Sequence, residues 1–249
     1  MEIFLSLEAW IALATLTLLE IVLGIDNIIF ISIVTNKLPL EQQKGARNLG
    51  LALALIMRIA MLLGITWLIG FTQPVLTIPD LGFDITPEAR DISGRDLILI
   101  FGGIFLLVKS IGEIHHKVDA DEDENMAQKA KKSFTGTIIQ IALLDLIFSF
   151  DSILTAVGMI KEIEIMIIAI IISMIVMLLF SGYISNFINQ NPTLQILALS
   201  FLILIGFILI VDGLAVHVPK GYVYFALFFS LIVEILNLRM RKKPKKINQ

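Results

Sequence analysis

Seven apolar runs, each close to the length that crosses a bilayer, constrain this chain more than any other feature. A transmembrane helix needs about 20 mostly apolar residues. The runs are Trp10–Ser32, Leu49–Phe71, Leu97–Ile114, Thr137–Ile160, Ile165–Ile188, Leu194–Asp212 and Gly221–Leu238. The third, sixth and seventh lie near the short limit. The expected fold is therefore an all-α polytopic membrane protein with seven transmembrane helices. Composition agrees: 57% of the 249 residues are hydrophobic and 16% charged, against about 45–50% and 25% in soluble domains. The first run does not read as a signal peptide. Glu2 and Glu8 precede it, no Lys or Arg does, and no small-residue cleavage site follows.

Charge and cysteine content narrow the chemistry. Lys and Arg total 19 and Asp and Glu 22, so no basic excess points to nucleic acid. The absence of Cys excludes disulfides, iron–sulfur clusters, thiolate zinc sites and thiol nucleophiles. His115, His116 and His217 fall at span ends. What remains is chemistry by carboxylates, amides, hydroxyls and amines.

The Lys/Arg distribution predicts orientation. With the C-terminus cytoplasmic and the N-terminus outside, 13 of the 19 basic residues face the cytoplasm and 4 the exterior. The inner set includes Lys37, Lys117 and the tail from Arg239; the outer set is Arg90, Arg95, Lys161 and Lys220. Arg58 and Lys109 lie within or at the edge of spans. Ser93-Gly94-Arg95-Asp96 fits a capping box at the start of the third span.

An internal repeat is visible. Leu18 through Ile29 aligns with Leu143 through Leu154 at a constant offset of 125. Each copy reads acid, five residues, Asp, then a short polar donor: Glu20, Asp26, Asn27 and Asp145, Asp151, Ser152. Phe101 and Phe201 head a fainter match between the third and sixth spans. Three spans separate the copies, so the fourth crosses opposite to the first. The expectation is a 3+3 inverted-topology repeat plus one C-terminal helix, an arrangement typical of secondary transporters. Within this single transmembrane domain, 1–249, repeat 1 runs from about 8 to 115 and a cytoplasmic loop from about 116 to 135. Repeat 2 covers about 136–213, the seventh helix about 219–238 and a basic tail 239–249.

Glu20, Asp26, Asp145 and Asp151 sit near mid-span, where each carboxylate costs roughly 2.5–3.5 kcal/mol on insertion scales. Ion pairing to Arg58 and Lys109 leaves two negative charges over, the charge of one divalent cation or two protons. At about 100° per residue, Glu20 and Asn27 share a face and Asp26 lies roughly 120° away. Either each span offers two ligand faces, or the helix opens near Gly24 and Ser149. The donors are all hard oxygen, which suits Mg, Ca and Mn rather than Cu or Zn. The acidic run Asp119–Glu124 reads as a solvated loop or as a funnel for cations. The basic tail suits anionic lipid contact. Asp212, closing the sixth span, is either a helix-end acid or part of an outer exit.

These motifs resemble the paired signatures of the TerC family of integral membrane proteins. So do Lys109 through His115 and His217 through Ala226, and the similarity covers essentially the whole chain. The resemblance implies a seven-helix inner-membrane protein of the LysE-like transporter group that exports manganese; the family name refers to tellurite resistance. It assigns ion binding to Glu20, Asp26, Asn27, Asp145, Asp151 and Ser152 and carries over Lys109 and Asp212; these two, with the Arg58 found by charge counting, are the expected counter-charge or gating residues. Mn2+ is then transported substrate rather than resident cofactor, and no permanently bound cofactor is expected. The expected partners are the divalent ion and membrane lipids. A membrane scaffold that loads metal onto exported proteins, or a tellurite-resistance factor, is the alternative, with an intramembrane aspartyl enzyme behind it. Asp26 follows Gly24-Ile25 and Asp151 follows Ser149-Phe150, so the Gly-x-Gly-Asp pattern of such enzymes is missing, and no catalytic residue is assigned.

Overall fold

The computed structural model describes residues 6–77, 91–118, 133–159, 162–216 and 218–241. The acidic run Asp119–Glu124, Lys129 through Lys132, Arg90, Lys161, His217 and the tail beyond 241 lie outside them, as does the Asp26 side chain.

Seven described helices are long and apolar enough to cross a membrane. Helix α1 spans Leu7–Thr35, and the Ser6 side chain caps it by accepting a hydrogen bond from the Ala9 amide at 3.2 Å. Its 29 residues extend roughly 44 Å at 1.5 Å per residue, well beyond a 30 Å hydrocarbon core. Helix α2 spans Leu40–Leu63 and a short α3 spans Ile65–Gly70. The second span thus begins nine residues before the expected Leu49 and breaks at Gly64. Hydropathy marks where a helix is apolar, not where it is helical. The leading turns carry Glu41, Gln42, Gln43, Lys44 and Arg47, polar but good helix formers.

Strands β1 (Pro74–Thr77) and β2 (Asp91–Ser93) pair antiparallel, within what the sequence presents as loop. The capping box forms as expected. The Ser93 amide donates to Asp96 Oδ2 at 2.9 Å and the Asp96 amide to Ser93 Oγ at 3.2 Å, starting α4 (Gly94–Val118). Helices α5 (Phe134–Met159), α6 (Ile163–Asn189), α7 (Pro192–Gly213) and α8 (Lys220–Arg241) follow. Both motif helices, α1 and α5, run unbroken through their acids. The version in which they open near Gly24 and Ser149 is not the one adopted.

The helices sort into two packed groups. Helix α1 lies along α6 and α2 along α5, and α1–α5 and α2–α6 contacts close a four-helix group. Leu16, Leu51, Ile141, Phe150, Ile153 and Met174 fill its core. The second group is the pair α4–α7. Its crossing depends on two glycines. A Cβ on Gly103 would stand 2.4 Å from the Gly206 carbonyl oxygen, and one on Gly206 2.9 Å from that of Gly103. A second apolar cluster, with Phe30, Val34, Leu99, Leu106, Leu144 and Leu202, lies between the groups. Helix α8 packs mainly on α7 and exposes Tyr222, Phe225, Phe228 and Phe229, as a lipid-facing helix does.

Candidate functional site

The polar centre is built from the middles of α1, α2 and α5. Arg58 of α2 donates through Nη1 to Glu20 Oε2 at 2.7 Å and through Nη2 to Asp145 Oδ1 at 2.8 Å. All three residues are only 3% exposed. The Asn27 amide nitrogen donates to Asp145 Oδ1 and Ser149 Oγ to Asp145 Oδ2, both at 3.1 Å. The seven-residue spacing brings Glu20 and Asn27 to one face of α1, so both reach this cluster. Charges buried this far from water persist only when paired and hydrogen-bonded, and the cluster supplies both.

A second acid–base cluster forms one level along the bundle. Arg95, in the first turn of α4, donates through Nη2 to Asp151 Oδ1 of α5 at 2.7 Å and to Asp212 Oδ2 of α7 at 3.3 Å. Its Nη1 lies 3.5 Å from Asp96 Oδ1. Ser152 Oγ, also buried, donates to the Ser149 carbonyl at 3.2 Å.

A cavity of about 60 Å³ connects the clusters, with Arg58, Asp151 and Ser152 among its lining and Leu23, Ile208 and Tyr224 on other sides. One water needs about 10–15 Å³, so the space has room for a few waters. Arg58 Nε is buried and has no hydrogen-bond partner among the described residues, an unusual state for a guanidinium nitrogen.

The structure therefore brings Glu20, Asn27, Asp145 and Arg58 together and sets Asp151, Ser152 and Asp212 beside them. Lys109 stays apart, its Nζ 5.8 Å from the Phe105 ring centroid. Asp26 occupies the α1 position before Asn27. Among the described residues, no group of three or more His, Cys, Asp or Glu is arranged to hold a metal ion. Arg95 is the residue that sequence reasoning passed over. It reads as a flanking loop charge. The available signal was its place inside the capping box, level with the ends of the spans that carry Asp151 and Asp212.

Comparison with known proteins decides the family. The chain matches the family model described as "Integral membrane protein TerC family" over residues 5–247. The protein belongs to the TerC family. This TerC chain is 48% identical over 238 residues to a UPF0053 protein of Haemophilus influenzae, covering 96% of the chain and 97% of that relative. It is 50% identical over 236 residues to the UPF0053 inner membrane protein YgdQ of Escherichia coli, with 95% of each covered. The E. coli UPF0053 inner membrane protein YoaE is 45% identical over 242 residues, which is 97% of the TerC chain but 45% of YoaE. No solved structure matches. Seven membrane-length helices and relatives named as inner membrane proteins make this TerC protein a multi-pass membrane protein.

Proposed function

We propose that this TerC-family protein is a secondary transporter of the inner membrane that exports a divalent cation, preferably Mn2+, in exchange for protons. The observation that carries the reading is the convergence of the repeated acids. Glu20 and Asp145, matched at offset 125, meet in one buried cluster, and Asp151 lines the cavity beside it. Intramembrane carboxylates of this kind mark ion pathways.

Glu20, Asp26, Asn27, Asp145, Asp151 and Ser152 supply oxygen ligands, a set suited to Mn2+, Mg2+ or Ca2+; preference for Mn2+ comes from the family resemblance. In the conformer seen, Arg58 and Arg95 pair with the acids and offset part of their charge. Cargo loads when a guanidinium withdraws, so that arginine and metal alternate as counter-charge. Protons are the exchange partner because carboxylates crowded together bind them more readily. The basic residues orient the protein with its N-terminus outside and C-terminus in the cytoplasm. An inverted repeat fits the packing. Exchanging α1 with α5, α2 with α6 and α4 with α7 turns the α1–α6 contact into α5–α2 and leaves α4–α7 in place, and these are the principal contacts.

The test is flux from manganese-loaded liposomes. The protein should release Mn2+ faster than protein-free liposomes, with acidification of the compartment the metal leaves. Correctly inserted protein that releases no Mn2+ overturns the transporter reading, and tight binding without flux favours the metal-loading scaffold. Efflux that is electrogenic and insensitive to a pH gradient rules out the proton exchange.

A further inference from the structure

We propose that the α4–α7 pair rocks as one body against the α1, α2, α5 and α6 group, held alternately by an ion pair at each end of the bundle. The inference rests on the transporter reading, but it concerns motion and adds residues that the ion-binding set does not contain.

Three observations carry it. First, packing is dense within each group and thinner between them. The Gly103–Gly206 crossing brings backbone against backbone, so α4 and α7 move together or not at all. Second, the cavity lies on the boundary. Leu23, Arg58 and Asp151 come from the four-helix group, and Ile205, Ile208 and Leu209 from α7. A relative rotation of the groups changes this space first. Third, an ion pair crosses the boundary at each end. At one end Arg95 of α4 binds Asp151 of α5. At the other, Lys37, in the connection between α1 and α2, binds Glu113 near the end of α4.

Each end is also reinforced within a group. Asp212 of α7 binds Arg95. At the Lys37 end, Lys117 of α4 bonds Gln195 of α7, and Asn36 and Asn189 bond each other across the ends of α1 and α6. These bonds stiffen the bodies; Arg95–Asp151 and Lys37–Glu113 are the ion pairs between them, beside the bonds of Gln195 Nε2 to the Asn189 carbonyl and of the Arg95 amide to the Phe71 carbonyl. In each ion pair the base keeps access and the acid does not: the Arg95 and Lys37 side chains are 24% and 28% exposed, Asp151 and Glu113 6% and 14%. Both pairs are therefore more accessible than the Arg58 cluster, whose three charged members are 3% exposed, and are the ones placed to open. The central Arg58 cluster lies wholly inside the four-helix group and need not break for the bodies to rock.

The chain has no cysteine, so a single reporter reads access directly. Ile208→Cys places a thiol on the cavity wall, labelled by a membrane-impermeant maleimide applied to either face of membrane vesicles. Glu113→Gln should raise labelling from the Lys37 side severalfold and lower it from the Arg95 side; Lys37→Gln should do the same. Arg95→Gln should shift labelling the opposite way. The charge swap Lys37→Glu with Glu113→Lys should return the parent pattern. The proposal is overturned if both ends shift labelling in one direction, as general loosening would, or if neither shifts it. The readout needs no cargo, so a negative result here leaves the transporter reading standing, and absent metal flux leaves the rocking result standing.

Discussion

Glu20 and Asp145 bind the two terminal nitrogens of a single guanidinium, that of Arg58. They are the first acids of the two aligned motifs, drawn from helices in different halves of the chain. One buried cation thus joins three helices, and its removal has a defined result.

Arg58→Ala leaves two carboxylates buried without a counter-charge, a change that costs about 3–5 kcal/mol in buried pairs. We expect a clear fall in melting temperature in detergent, with Arg58→Lys intermediate because an ammonium lacks the planar fork that reaches both acids. Mn2+ should raise the melting temperature of Arg58→Ala more than that of the parent, since a ligand stabilises the state it binds. Equal shifts in the two proteins would place the cation elsewhere.

Asp151→Asn should reduce manganese efflux at least tenfold, about 1.4 kcal/mol, with helical content unchanged, because Asp212 still engages Arg95. Asp26→Asn should behave alike. Glu8→Gln, on the exposed first turn of α1, serves as the control. Proteoliposome flux and circular dichroism on the same preparations decide the matter; normal efflux by either Asn variant removes that residue from the pathway.

Glu20→Gln and Asp145→Asn should not be additive. Both residues answer to one guanidinium, and partners in one buried network couple by about 0.5–3 kcal/mol. A double-mutant cycle of denaturation free energies measures this, and additivity within error would mean that Arg58 serves the two acids independently.

Gly103→Leu should destabilise the bundle by about 1–3 kcal/mol, the usual range for overpacking, because its Cβ would press on the Gly206 carbonyl. Gly112→Ala, on the same helix with nothing within 4 Å of its added Cβ, should be neutral or slightly stabilising. Thermal melts of the pair separate a close crossing from a general dislike of side chains in α4.

Much of this was legible in the sequence, for physical reasons that also explain the gaps. A span must be long and apolar, so the seven helices could be counted from residues alone. Helix periodicity put Glu20 and Asn27 on one face, and they meet the same cluster. The start of α2 was hidden because Glu41 through Arg47 are polar yet helical. Arg95 was hidden because a charge at a span boundary looks solvated until Asp151 and Asp212 arrive from distant segments. The choice of Arg58 over Lys109 depended on which helices pack together, which no local pattern encodes.

The packing of the helices has a consequence for how the chain is assembled as it is made. The principal partner of α1 is α6, that of α2 is α5 and that of α4 is α7, so each early helix waits for one synthesised later. Contacts so distant in sequence form slowly, and the first half must reside in the bilayer before its grooves are filled. During that interval Glu20 carries a charge in the bilayer before α5 and α6 have closed the four-helix group around it. Arg58 is already there, 38 residues behind it. The Glu20–Arg58 bond can therefore act as a provisional clamp during biogenesis, keeping α1 against α2 until the second half of the protein emerges.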